Sequence, residues 1–368
     1  MQADRANPFL PPAEYTGRTY YNVPAVKPSH YGGKTALAFF IQGIGSSAQM
    51  IATILDMQNR ERNRGCIRTG RSIALLASPL GPLLLITALH TPGRWYNMLR
   101  IYRPLSPMSI GIWALTTMGA LNCLSFGGTL LEKTYPKAGK WVDRLFGSAA
   151  AAAGGIVAIY MGTELEETSS PVWTGAYPYL APLFAATAFS NGTAALMLAS
   201  RNGSGAGAAL ALLARLGGVA AGLQVIITAL MFRRLNRSLG ASSSRSRLKW
   251  AVWPATIAPL LLRGWHLLSG QPAAFTSTGV ATLLGGFSLL NALVYTGKRS
   301  GQVPQEYLEL TAGPPPPRTV PERKAIRAAR RPRSGAAGRI GMAIAAGFAG
   351  FWVGRRLLSP SGGRPKRH

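Results

Sequence analysis

Residues 207–231 read GAALALLARLGGVAAGLQVIITALM, a stretch of 25 residues with a single charged side chain, Arg215. A helix needs about 20 mostly apolar residues to cross a hydrocarbon core of about 30 Å, so this stretch predicts a membrane span. Similar blocks rich in Ala, Gly and Leu lie at 34–55, 71–91, 107–127, 146–162, 177–199, 250–268 and 274–296. Because backbone in lipid must satisfy its own hydrogen bonds, these blocks predict an all-α integral membrane protein, a bundle of about eight transmembrane helices.

The composition agrees with a membrane protein. Of 368 residues, 48% are hydrophobic and 14% are charged, whereas soluble domains carry about 25% charged residues. The net charge of +28 comes mostly from loops between the apolar blocks and from the C-terminal tail. Basic residues there set topology and contact anionic lipid, so we predict contact with membrane lipid and no nucleic-acid binding.

The chain divides into four parts. Residues 1–33 are predicted to be an extramembrane N-terminal segment, and residues 34–296 the eight-helix domain. Residues 297–336 are rich in Pro and Arg and are predicted to be a disordered linker. Residues 337–368 combine a short apolar segment with a basic tail. The apolar segment, 337–354, suits either a ninth span or a loosely ordered amphipathic tail, and both alternatives stay open.

Successive spans alternate in direction, which defines two faces of the bundle. Face A receives the N-terminus, the loops 92–106, 163–176 and 232–249, and the C-terminal tail. Face B receives the loops 56–70, 128–145, 200–206 and 269–273. Both faces carry basic loops, so counting positive charge leaves open which face is cytoplasmic.

The metal-ligating residues are too few for a redox centre. Cys66 and Cys123 are the only cysteines, whereas iron–sulfur clusters and structural zinc need three or four closely spaced ligands. His90 ends the second predicted span at face A and His266 ends the seventh near face B, so they cannot ligate one haem. We therefore expect no haem, iron–sulfur cluster or metal in this chain, and no catalytic residue of its own.

Acidic residues are scarce in the predicted spans. Of twelve, Asp56 ends the first span and the rest fall in predicted loops or tails, which argues against a proton-driven carrier. Buried amides favour hydrogen bonding between helices and leave a polar path as the alternative. These amides are Gln42, Asn122, Asn191, Gln224 and Asn291.

Polar and titratable residues converge at face A. The second span ends in His90, followed by Pro92-Gly93-Arg94, and the fourth span runs through Tyr160 into an acidic loop with Glu164, Glu166 and Glu167. Tyr and His can hold the oxygens of a quinone, and His or Glu can accept the protons of a quinol. A membrane-interface belt of aromatic and basic residues is the alternative reading of the same pattern.

Several ordered motifs resemble the NrfD/polysulfide reductase family of membrane subunits, relatives of the anchors of dimethyl-sulfoxide-reductase-type complexes. They cover about residues 18–296. These motifs are Thr19-Tyr20-Tyr21-Asn22-Val23-Pro24 with Lys27, Gly43 and Gly45, His90 to Arg103, Ser106-Pro107-Met108-Ser109 with Trp113, Tyr160 with Gly162, and Pro171-Val172-Trp173 with Pro178, Pro182, Ser190 and Gly192.

The resemblance implies a multi-pass subunit of the bacterial cytoplasmic (inner) membrane that binds menaquinone or ubiquinone. It places His90, Gly93 and Arg94 on the quinone-proximal loop and Tyr160 at the quinone. It also implies a ferredoxin-like iron–sulfur partner at face A, with a molybdopterin or cytochrome subunit beyond. The first span lacks the family's Asn or His near the quinone, so His30 or Gln42 are candidate substitutes.

The expected function is therefore quinone binding with electron exchange toward the iron–sulfur partner, in either direction. Glu164, Glu166 and Glu167 are the candidate proton acceptors. Arg94, Arg100 and Arg103 offer positive charge for docking the partner. A purely structural membrane anchor and a channel or carrier are the alternative functions.

Overall fold

A computed structural model describes residues 26, 29–200, 207–239, 242–269 and 272–312, and this part of the chain contains helices and no strands. The helices are α1 (Gly33–Ala88), α2 (Asn97–Arg100), α3 (Pro107–Leu131), α4 (Pro136–Glu166), α5 (Pro171–Gly175), α6 (Leu180–Ser200), α7 (Gly207–Ser238), α8 (Ser243–Ser269), α9 (Pro272–Ser300) and α10 (Pro304–Ala312). The predicted all-α membrane bundle is confirmed.

Helix α1 is 56 residues long and contains the first two predicted spans. Its backbone leaves the helical region at Asn59, where φ is −164° and ψ is 99°. The two halves then run back along each other, because a Cβ on Gly45 would lie 2.4 Å from the Ala77 Cβ, and one on Gly81 would lie 2.2 Å from Gln42 Nε2. The predicted loop 56–70 is thus mostly helical, and small residues let the two halves pack closely.

Within the residues that the structure describes, six helical segments are long and apolar enough to cross a membrane. They are Gly33–Ala88, Pro107–Leu131, Pro136–Glu166, Leu180–Ser200, Ala209–Ser238 and Thr276–Ser300. Gly33–Ala88 counts once in this set although it is broken at Asn59. Helix α8 is not in the set. The count of eight spans therefore stays a prediction.

Consecutive long helices pack as antiparallel neighbours around α1 and α6. Helix α3 lies against α4, α6 against α7 and α8 against α9, while α1 contacts α3, α4, α6 and α9. Buried Leu, Phe, Met and Trp side chains fill the centre of this arrangement, among them Phe39, Leu183 and Leu289. Face A is the end where α4 and α9 finish and α1 and α6 begin. Face B is the opposite end.

A cluster of buried ions at face B corrects the expected position of one acidic residue, Asp143. Asp143 was expected in a loop, but it lies inside α4 with no exposed surface. Its carboxylate contacts Arg60 Nη1 at 2.9 Å and Arg71 Nε at 3.0 Å. Arg60 also contacts Asp56 at 2.9 Å and the buried Glu132, at the end of α3, at 2.7 Å. These pairings explain how charged residues enter the bundle, since buried charges need partners.

The predicted disordered linker is wrong over its first residues. Helix α9 continues to Ser300, and α10 follows at Pro304–Ala312. The reason is a contact back to the bundle: Glu306 is buried, and its carboxylate accepts the backbone N–H of Ser244 at 3.0 Å at the start of α8. A carboxylate there satisfies a free N–H and complements the helix dipole. Residues 313–336 of the predicted linker and the predicted ninth span lie outside the described residues.

Candidate functional site

The loop after α1 lies on the surface at face A. Helix α1 ends at Ala88, and Pro92–Arg94 form a single 3₁₀ turn. His90, Gly93 and Arg94 are all exposed. Their exposure allows contact with a ligand or partner at the end of the bundle, and none of the three is buried within it.

The residues directly before α1 lie beside this loop. The ring centroids of His30 and His90 are 5.7 Å apart, with the planes tilted by 59°. His30 is exposed and lies three residues before α1. Its contact with His90 therefore brings the start of α1 next to the end of the same helix. Of the two substitutes considered for the first-span ligand, His30 therefore lies beside the predicted loop.

Gln42 lies elsewhere. It is fully buried, about three turns inside the bundle from Tyr31, and it packs against Gly81 in the second half of α1. A related amide fits the hydrogen-bonding alternative: Asn122 Nδ2 donates to Ser78 Oγ at 2.9 Å between α3 and α1.

Tyr31 connects the N-terminal segment to the acidic end of α4. Its hydroxyl donates to Glu164 Oε1 at 2.5 Å, and its ring centroid lies 5.8 Å from that of Trp173. Trp173 is fully buried, and its Nε1 donates to the Leu293 carbonyl at 2.8 Å, which ties the site to α9. Sequence reasoning did not identify Tyr31 as a site residue. The only signal was its position next to His30, directly before the first span.

The surroundings of Tyr31 favour its neutral form. Burial raises the pKa of the Tyr31 phenol well above its ordinary value, and the charge and hydrogen bond of Glu164 raise this pKa further. Tyr31 therefore stays a hydrogen-bond donor throughout the neutral range. The cluster thus contains a fixed O–H donor facing a carboxylate.

Tyr160 lies deeper on the same helix. It is buried, and its ring packs on Gly111 of α3, where an added Cβ would lie 2.0 Å from Tyr160 Cδ2. Tyr160 and Glu164 are four residues apart, so they share one face of α4. We call Tyr31, Tyr160, Glu164, His30 and His90 the face-A cluster.

The three predicted carboxylates differ in position. Glu164 is half-buried in the face-A cluster. Glu166 is half-buried and accepts the backbone N–H of Leu180 at 2.7 Å, which caps the start of α6. Glu167 follows the end of α4 and is exposed. Only Glu164 contacts a phenol of the cluster.

Basic side chains cover much of face A. Arg94, Arg100 and Arg103 are all exposed, and the Arg103 backbone N–H donates to Ser109 Oγ at 2.9 Å, which holds the loop on the start of α3. The end of α7 and the start of α8 add a second exposed group that sequence reasoning did not assign to docking. Its members are Arg233, Arg234, Arg237, Arg247 and Lys249.

Comparison with protein families matches residues 25–298, about three quarters of the chain, to the family described as Polysulphide reductase, NrfD. The match begins in the N-terminal segment that carries His30 and Tyr31 and ends in α9. No curated protein matches the chain.

Proposed function

Since the chain belongs to the polysulphide reductase NrfD family, whose members are membrane subunits of polysulphide and respiratory reductases, we propose that it exchanges electrons between a membrane quinone and an iron–sulfur partner. The quinone site is the face-A cluster. The membrane is the bacterial cytoplasmic membrane, and the quinone is menaquinone or ubiquinone.

The observation that carries the proposal is the contact between Tyr31 and Glu164 beside the His30–His90 pair. Three segments far apart in sequence meet there: the segment before α1, the loop after it and the end of α4. Phenol, imidazole and carboxylate are the groups that quinone chemistry needs at one place. Their position at an end of the membrane bundle suits a carrier dissolved in lipid.

A bound quinol would supply two electrons and two protons when it is oxidised to quinone. The chain's own residues hold its oxygens and receive the protons. His90 and Tyr31 are the proposed hydrogen-bond partners of one oxygen, and Tyr160 lines the buried side. Glu164 accepts one of the two protons and His90 accepts the other, and both protons pass to solvent at face A, where Glu164 is half-buried and His90 is exposed. The electrons leave to a cluster in the partner chain, and the reverse direction uses the same residues.

The polar groups of the face-A cluster suit the oxygens of a quinone or quinol. The Tyr31 phenol stays neutral and donates its proton to Glu164, so its oxygen can accept a hydrogen bond from a quinol hydroxyl, and the exposed His90 offers its imidazole to the ligand. Leu80 and Leu83, on the second half of α1, are 50% and 57% exposed. An isoprenoid tail would lie along this apolar surface, which faces lipid.

The partner docks on the same face in this proposal. NrfD proteins work with other redox subunits in membrane complexes. Arg94, Arg100 and Arg103 follow His90 in the connection between α1 and α3, and their exposed guanidinium groups suit an acidic partner surface. A cluster held by that partner would then lie next to the quinone, so this chain needs no redox centre of its own.

Binding of a quinone analogue to the purified full-length protein tests the site. We expect Tyr31→Phe and His90→Ala each to weaken binding about tenfold, because each removes one hydrogen bond to a polar ligand atom. Tyr135→Phe is the matched control, since Tyr135 is 62% exposed at the opposite face. Unchanged affinity in both cluster variants would reject the proposed quinone site.

Purification of the complex from native membranes tests the partner. We expect an iron-containing chain to copurify with the wild type and to be lost from the triple variant Arg94→Gln/Arg100→Gln/Arg103→Gln. The control is Arg62→Gln/Arg68→Gln, which removes exposed charge at face B. A chain that captures its partner yet binds no quinone analogue would be a structural anchor, and the proposed function would be wrong.

A further inference from the structure

Arg263 is a buried cation in the second half of the bundle. It is 7% exposed and lies on α8, between α6, α7 and α9. Its Nη2 donates to the Ser190 carbonyl at 3.3 Å and to Thr282 Oγ1 at 3.4 Å, while its Nε has no hydrogen-bond partner. Within the described part of the chain, both of these hydrogen bonds are long and go to neutral oxygens, so they bring no negative charge to the guanidinium.

The sequence excludes a carboxylate partner from the helices around it. Residues 168–305 contain no Asp or Glu, although they include α6, α7, α8 and α9. Within the described residues, Arg263 forms no ion pair, whereas the buried Arg71 contacts Asp143. An unpaired charge in a low-dielectric interior is costly, and intramembrane arginines therefore usually have an anionic or polar partner. The missing counter-charge must come from outside these helices.

Space for such a partner adjoins the guanidinium. A cavity of about 30 Å³ is lined by Arg263 together with Ala194, Met197, Gly218 and Thr278. On the other side of the guanidinium, Gly217 of α7 lets the group lie close to the helix backbone, because a Cβ there would lie 2.1 Å from Arg263 Nη1. The lining is apolar apart from Arg263 and Thr278, so a ligand in the cavity would meet one cation and one hydroxyl.

We propose that Arg263 binds a small inorganic anion of halide size in this cavity. The volume holds about two water molecules, which is enough for a halide and too little for a phosphodiester headgroup. The depth of the site also excludes a lipid headgroup. Ser190 and Thr282 lie ten residues from the face-B ends of α6 and α9, which is about 15 Å inside the bundle. That depth is about half of a hydrocarbon core, beyond the layer of lipid headgroups. This site is separate from the face-A cluster and does not rest on the proposed function.

Thermal unfolding of the purified full-length protein in an uncharged detergent tests the site. The sodium salts of chloride and gluconate are compared at equal ionic strength, because gluconate is too large for the cavity. At chloride tenfold above its dissociation constant, the unfolding temperature of the wild type should rise by about 2 °C. Arg263→Gln should abolish the rise. Arg215→Gln is the matched control, since Arg215 lies on α7 with its side chain exposed.

A second variant tests the cavity without removing the charge of Arg263. Gly218→Ala adds a methyl group where nothing lies within 4 Å, so it narrows the cavity without a clash and leaves Arg263 intact. It should reduce the chloride response. An equal response in Arg263→Gln, or no response in the wild type, would overturn the proposal. So would native mass spectra in which the wild type retains an anionic lipid that Arg263→Gln loses, without a chloride effect.

Discussion

Replacing Asp143 by Asn should destabilise the protein more than any surface change of charge. Asp143 is fully buried in α4 and contacts two arginines, Arg60 at 2.9 Å and Arg71 at 3.0 Å. It also accepts a hydrogen bond from Ser125 Oγ at 2.7 Å. The substitution keeps the size of the side chain and removes its charge.

The size of the effect depends on which arginine is left unpaired. Arg60 keeps Asp56 and Glu132 as partners, so its charge stays compensated. Arg71 is 1% exposed and keeps only the hydrogen bond from its Nη1 to Thr53 Oγ1, at 3.0 Å. Breaking a buried pair costs about 3–5 kcal/mol, and one unpaired arginine places this variant near the lower limit, about 3 kcal/mol.

Reversible unfolding in mixed micelles measures this loss, and a double-mutant cycle identifies its cause. In Asp143→Asn/Arg71→Met neither charge remains, so the double variant should be more stable than Asp143→Asn alone. The control is Glu61→Gln, which removes an exposed pair with Lys140 at 2.6 Å and should cause no measurable loss. A loss below about 1 kcal/mol for Asp143→Asn, or additive losses in the cycle, would refute the reasoning.

Three further changes test face A. Gly111→Ala places a Cβ 2.0 Å from the Tyr160 ring, so it should displace Tyr160 and weaken quinone-analogue binding at least tenfold in a titration. Glu166→Gln should lower the stability of the fold by about 1 kcal/mol in the same unfolding assay, through a weaker cap at Leu180, with analogue binding unchanged. Alkaline titration followed by ultraviolet absorbance should give the same phenolate signal for the wild type and Tyr31→Phe up to about pH 10, because the pKa of Tyr31 is raised above its ordinary value.

Each of these three predictions has a control or a result that would contradict it. Gly119→Ala is the control for Gly111→Ala, since its Cβ would meet only Ser78 at an ordinary 3.7 Å; equal losses in both would show a general weakening of α3. Reduced analogue binding in Glu166→Gln would assign that carboxylate to the site. A smaller phenolate signal at pH 10 in Tyr31→Phe would mean that Tyr31 ionises normally. Because Tyr31 is held neutral in the fold, any stability that it contributes is present below about pH 10 and is lost only at higher pH.

Hydropathy predicted where the bundle lies but not where its helices end. The fourth span was predicted at 146–162, and α4 runs from Pro136 to Glu166. Apolar composition marks only the part of a helix that lies in lipid. The additional first turns of α4 carry Lys140, Asp143 and Arg144, whose partners lie on α1 at Glu61, Arg60, Arg71 and Asp56. No pattern within one segment could show that charges so far apart in sequence neutralise each other.

The sequence predicted which helix ends meet at the candidate site, but not the contact that links them. Alternating topology placed the end of the second span and the end of the fourth at one face, and His90 and Glu164 do lie at that face. The link between them is Tyr31, which contacts Glu164 across 133 residues of sequence. A tyrosine before a first span is ordinarily an interface anchor. Only the folded position of Tyr31 distinguishes that role from a contact with Glu164.

The distribution of acidic residues connects the two proposed sites. Within the matched region 25–298, the acids are Asp56, Glu61, Glu132, Asp143, Glu164, Glu166 and Glu167, all before residue 168. Four of them serve ion pairs at face B, and Glu166 caps α6. Among these carboxylates, the ones at face A all lie at the end of α4, and of these Glu164 contacts a phenol of the face-A cluster. The acid-free half cannot neutralise a buried cation from its own residues, which is why Arg263 requires an anion from solution. This uneven distribution of acidic residues predicts that Glu164→Gln lowers quinol oxidation and leaves the chloride response unchanged. Arg263→Gln should abolish the chloride response and leave quinol oxidation unchanged.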